Sequence, residues 1–109
     1  MITLSTHILD TTRGLPAAGV TVDFVMIGAD GKQTIISSNV TDTNGRVGAL
    51  IAQNIRLEKG TYKLKFHTES YFKTMELRAF YPFIEVVFNI FNTDQHYLFS
   101  DKVCVPMLP

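Results

Sequence analysis

The chain has a single cysteine, Cys104, and no tryptophan. One thiol excludes an internal disulfide framework and is compatible with a reducing compartment. Charge of one sign is lacking too: ten Lys and Arg balance ten Asp and Glu, with no run of like charge. A nucleic acid or an anionic membrane surface demands a basic footprint, so neither is an expected partner. No apolar window approaches the length that spans a bilayer. Nor does a basic stretch followed by an apolar one open the chain, as a secretory signal would. Repeats, linkers and low-complexity tracts are missing as well. What is present is apolar material: 46% of the 109 residues are hydrophobic, including eight Phe and four Tyr. That length suits one domain with a sizeable core. The apolar surplus over what a small sandwich needs points to oligomerisation.

The opening stretch is a strand that breaks into a turn. Ile2, Leu4 and Ile8 fall on one face at period two, with Thr3, Ser5 and His7 on the other. Gly14, Pro16 and Gly19 then supply turn chemistry. A second strand follows, with Val20, Val22, Phe24 and Met26 on one face, and the Asp30-Gly31 pair signals a hairpin. Gln33 to Thr41 is the return strand, rich in β-branched residues, and Asp42-Thr43-Asn44-Gly45 is a second turn. Arg46 leads a short strand from Val47 to Ile51, followed by a loop from Ala52 to Lys59. In Gly60 to His67, Tyr62, Leu64 and Phe66 point in while Lys63, Lys65 and His67 point out to solvent. One short helix comes next, capped by Thr68, with Glu69 in its first turn and Phe72 and Met75 on one face. Pro82 starts a strand to Phe91 with Ile84, Val86, Phe88 and Ile90 as its apolar stripe. After the turn Asn92-Thr93-Asp94, His96 to Phe99 is a further strand, and Val103-Cys104-Val105 could pair only at an edge beside Pro106. About seven short strands and one helix predict a mainly β protein, an antiparallel β-sandwich.

Chemistry-bearing residues are few. His7, on the polar face of the first strand, is a candidate acid or base, although a lone outward histidine is usually a solvated side chain. Arg46 beside a turn is, by the same standard, usually a surface charge of little consequence. The three histidines and one cysteine show no ligand spacing, so no metal site is expected. A Ser nucleophile motif and a Gly-rich phosphate loop are also missing.

A set of short motifs, in order, carries a resemblance. They are Thr6-His7-Ile8-Leu9-Asp10 with Gly14 and Pro16-Ala17, then Thr43-Asn44-Gly45-Arg46, Gly60-Thr61-Tyr62, Ser70-Tyr71-Phe72, and Phe80-Tyr81-Pro82 running into Val86-Val87-Phe88. On these residues the chain resembles the transthyretin-like proteins, and among them the 5-hydroxyisourate hydrolases, enzymes of urate breakdown. The likeness covers residues 1 to about 97 of a single domain over residues 1–109, leaving a divergent tail over 98–109. It implies a transthyretin-like β-sandwich with one short helix, assembled as a homotetramer with its sites in a channel between subunits. It also implies hydrolysis of a purine-derived cyclic amide without cofactor. His7 and Arg46 match the hydrolases' catalytic and substrate-binding pair, which hormone carriers do not keep. His7 is then base or orienter, and Arg46 clamps the oxygen-rich ring and its developing negative charge.

Two departures bear on activity. The hydrolases carry a His-Tyr-His block whose second His works with the first; here the block is His96-Tyr97-Leu98, with Leu98 in that second position. Their closing Tyr-Arg-Gly-Ser has no counterpart in Asp101 to Pro109. A leucine shuttles no proton, so an impaired hydrolase is expected, and the alternative is a non-catalytic protein binding a small aromatic ligand. His96 has no expected catalytic part, and His67 reads as solvated. Without a leading signal or a terminal Ser-Lys-Leu, cytoplasmic placement is expected, with a peroxisomal one as the alternative.

Overall fold

The structure, a computed structural model, describes residues 3–10, 14–47, 57–74, 82–91 and 96–99, and of 3–5 and 96–99 the backbone. In chain order its elements are β1 (Thr3–His7), β2 (Leu9–Asp10), β3 (Leu15–Pro16), β4 (Thr21–Ile27), β5 (Gln33–Val40), β6 (Arg46–Val47), β7 (Gly60–Phe66), α1 (Thr68–Lys73), β8 (Ile84–Ile90) and β9 (His96–Phe99). Ile2, the strand positions 48–51, the loop over 52–56, Met75, the turn at 92–94 and the tail with Cys104 lie outside the described residues.

Period-two alternation builds the larger sheet, whose strand order is β5-β4-β7-β8 and whose pairs are all antiparallel. Val22 and Phe24 of β4, Tyr62, Leu64 and Phe66 of β7 and Ile90 of β8 are buried on its inner face. Phe24 and Tyr62 stack with ring centroids 5.3 Å apart, and Phe88 joins both at 6.4 Å. Side chains of this size contribute about 1.5–3 kcal/mol each on full burial. The smaller sheet, β6-β1-β9, closes over them and adds Ile8 and Val47 to the same core, with Tyr71 and Phe72 arriving from α1. The result is the expected sandwich, with one parallel pair among the described residues: β9 runs alongside β1. The two-residue ladder β2–β3 closes the turn after β1.

Several side chains depart from their expected places. Between Phe24 and Val25 the β4–β5 register shifts by one residue, and Ile36, left unopposed, packs against the core. Met26, core-facing by alternation, is exposed because it stands beside the hairpin at the sheet's end. Lys63 points outward yet is buried, because its central strand lets Nζ reach Glu85 Oε2 at 2.7 Å and Gln33 Oε1 at 2.6 Å. Thr68 does not cap α1: it is the first helical residue and buried, while His67 holds the cap position without a side-chain cap bond. The His67 ring is committed elsewhere. Its Nε2 lies 2.6 Å from Asp23 Oδ2, so it is a paired side chain and not a freely solvated one.

Asp23 sits at the centre of that outer cluster, with the Ser38 hydroxyl donating to its Oδ1 at 2.7 Å. Burial pushes its carboxyl up, but the hydrogen bonds from His67 and Ser38 and the positive charges of His67 and Lys65 outweigh burial and hold it below the ordinary 3.8. A depressed carboxyl stabilises the fold above its unfolded pKa and loses that contribution as pH falls through the lower folded value. Asp23→Asn is therefore expected to reduce stability at pH 7, and the gap from wild type to close in urea unfolding as pH drops below about 4.

Candidate functional site

The small sheet brings His7 and Arg46 together. They are direct partners across the antiparallel β1–β6 pair, next to Thr6 and Val47. The neighbouring bond runs from the Ile8 N–H to the Gly45 carbonyl at 2.7 Å. That placement makes His7 and Arg46 a non-hydrogen-bonded pair, the kind in which opposed residues stand closest, about 4.5 Å between Cα atoms. Thr6, Ile8 and Val47 are buried on the core side, so the pair occupies the sheet's outer face. His7 is half-buried and Arg46 exposed. Among the described residues neither side chain has a hydrogen-bond or ion-pair partner.

The turn that delivers Arg46 is built by hydrogen bonds. The Gly45 N–H donates to the Asp42 carbonyl at 2.9 Å. Asp42 Oδ1 accepts from the backbone of Asn44 at 2.8 Å and of Arg46 at 3.0 Å. Gly45 has φ +73°, and a Cβ there would lie 2.3 Å from the Ile8 carbonyl oxygen and 3.1 Å from the Ala17 nitrogen. Ala17 in turn donates to that Ile8 oxygen at 3.1 Å. Thr41, buried, closes the other side: its hydroxyl donates to the Ala17 carbonyl at 2.7 Å and accepts from the Val20 N–H at 2.9 Å. A further buried contact, Tyr71 Oη donating to Asp10 Oδ2 at 2.9 Å, ties α1 to the strand that continues from His7. The sequence marks Asp42 to Gly45 as a turn and Asp10, Ala17 and Tyr71 as motif residues, but not these contacts, although Asp-x-Asn-Gly is the signature of a turn closed by its own aspartate.

On the opposite side of β1 the register sets Leu98 level with Ser5 and His96 level with Thr3, both on the His7 face. Strand spacing then puts the Leu98 Cα roughly 8 Å from that of His7 and the His96 Cα roughly 14 Å away. The nearer position holds a leucine. His67 follows β7 of the other sheet and is paired there with Asp23 of β4. No three His, Cys, Asp or Glu side chains converge as a metal site among the described residues.

The HIUase/Transthyretin family model matches residues 4–104. The chain is similar to the 5-hydroxyisourate hydrolase of Deinococcus radiodurans, at 41% identity over 86% of this chain and 81% of that one. It is also similar to the 5-hydroxyisourate hydrolase of Mus musculus, at 38% identity over 96% and 84%. Among solved structures, Klebsiella pneumoniae 5-hydroxyisourate hydrolase superposes with a TM-score of 0.80 at 28% identity, over 97% of this chain and 92% of that one. Transthyretin from Sparus aurata superposes with a TM-score of 0.74 at 33% identity, over 81% and 75%.

The Gly45 crossing separates two costs in a paired experiment. Gly14, at φ +67° with nothing within 4 Å of a would-be Cβ, shares only the backbone conformation. Gly14→Ala is expected to cost about 1–2 kcal/mol. Gly45→Ala should cost roughly 1–3 kcal/mol beyond that, because a backbone carbonyl must move. Urea denaturation of the two variants reads the difference.

Proposed function

The chain belongs to the HIUase/Transthyretin family, and we propose that it opens the ring of 5-hydroxyisourate by hydrolysis in urate breakdown. The observation that carries the proposal is the His7–Arg46 cross-strand pair on the open face of the small sheet. Opening a cyclic amide needs water added to a carbonyl carbon and a proton delivered to the departing nitrogen. His7 takes the proton from water as the new C–O bond forms, and returns it to nitrogen as the C–N bond breaks. Arg46, permanently charged and planar, orients the oxygen-rich ring and stabilises the negative charge on the carbonyl oxygen. Neither task calls for a metal or an organic cofactor.

The site lies on a sheet face where Arg46 is exposed, and we place a second copy of the chain there in a homotetramer. The exposed apolar residues Phe83, Val87 and Phe91 on and beside β8 support self-association. The single cysteine suits the cytoplasm, and the substrate is a small purine-derived molecule. Leu98 lowers the expected rate, since a missing proton-transfer partner costs about 10²–10⁴. It also favours a second reading, a non-catalytic protein whose more apolar face holds a small aromatic ligand.

The decay of freshly generated 5-hydroxyisourate, followed by absorbance, tests both. Wild type is expected to accelerate it, His7→Ala and Arg46→Ala each to lower kcat/KM by about 10² or more, and Leu98→His to raise it at least about tenfold. A folded oligomer that leaves the decay unchanged but gains thermal stability from an aromatic ligand supports the binding protein instead.

A further inference from the structure

We infer that Asp42 is the positioning residue for Arg46: its side chain and backbone together bind the N–H and C=O that Arg46 turns away from β1. The kinetic consequence rests on the hydrolase reading; the geometry does not. Because His7 and Arg46 form a non-hydrogen-bonded pair, the N–H and C=O of Arg46 point away from β1. Among the described residues β6 is the edge of its sheet, and none of their strands lies on that side. Edge groups of this kind normally face water. Here Asp42 takes both: its Oδ1 accepts the Arg46 N–H at 3.0 Å, and its own N–H donates to the Arg46 carbonyl at 3.0 Å.

The consequence for Arg46 follows from how little else holds it. Two residues of β6 are described, Arg46 and Val47, and among the described residues no carboxylate pairs with the guanidinium. The direction in which Arg46 leaves the backbone is thus set by its peptide units, and Asp42 holds them on the open side. The same Oδ1 also accepts the Asn44 N–H at 2.8 Å, so one oxygen fixes the tip of the turn and its exit. What matters is an acceptor at that point in space and not a negative charge, which would work against the guanidinium's role.

Three variants of the full chain separate acceptor from charge. Asp42→Asn keeps the acceptor and removes the charge, Asp42→Glu keeps the charge and displaces the acceptor by one methylene, and Asp42→Ala removes both. Amide hydrogen exchange of Arg46, read by NMR, needs no turnover. It is expected to rise at least about tenfold in the Ala and Glu variants and to stay within about threefold in the Asn variant, with Val22 and Phe24 unchanged in all. In the ring-opening assay the Ala and Glu variants should lose about tenfold or more in kcat with little change in KM, and the Asn variant should retain wild-type rates within about threefold. An Arg46 amide unprotected in wild type, or equally protected in all variants, overturns the inference, as does an Asn variant no better than Glu. If Asp42→Ala fails to fold, the Asn and Glu pair decides. A wild-type chain without turnover removes the hydrolase reading, and the exchange arm still decides on Asp42.

Discussion

The backbone of Ile8 is the junction on which the site depends. Its N–H donates to the Gly45 carbonyl and its carbonyl accepts from the Ala17 N–H, so one peptide neighbourhood is held from both sides. One residue before it stands His7, and one residue after Gly45 stands Arg46, so whatever fixes the Ile8–Gly45 crossing fixes the separation of the pair. The crossing needs a residue with no Cβ and a left-handed backbone, and only glycine satisfies both at modest strain. The Ile8 side chain meanwhile lies in the core, fully buried. Packing and hydrogen bonding therefore converge on one residue that touches no substrate itself.

The two outer faces of the sandwich solve opposite problems. On the large sheet the charged groups are mutually satisfied: Lys63 with Glu85 and Gln33, Asp23 with His67 and Ser38, and Lys65 over the Phe83 ring at 4.3 Å. The charged groups of that face are held by their own polar network. On the small sheet His7 and Arg46 stand without such partners among the described residues. An unpaired cation and an imidazole left in reach of water are poor stability devices and good recognition devices.

Much of this was legible in the residues, for reasons that differ between parts. Alternation placed Val22, Phe24, Tyr62, Leu64 and Phe66 in the core, because period two leaves a strand with one buried face little choice. Asp30-Gly31 and Asn44-Gly45 marked turns, since both glycines have positive φ. Alternation says nothing of cross-strand neighbours, so the burial of Lys63 by Gln33, thirty positions away in the chain, was invisible. The bulge that turns Ile36 inward and the parallel course of β9 are tertiary choices of the same kind. Thr68 looked like a helix cap because capping chemistry is local, whereas its burial is not. His7 and Arg46 were visible as residue types and through the resemblance; their direct opposition required the turn, and the part of Asp42 required knowing that β6 lies at an edge.

The parallel pairing of β1 with β9 sets the order in which the molecule can be finished. The partners Thr3 and His96 stand 93 positions apart in the chain. During synthesis β1 can join the β6 turn early, but its other edge has no β9 until the strands between them have left the ribosome. Long-range closures of this kind are slow, and a waiting edge is open to the wrong strand. The larger sheet, whose strands follow one another by shorter connections, can form while that edge is still bare. The face that carries His7 is therefore completed after the larger sheet.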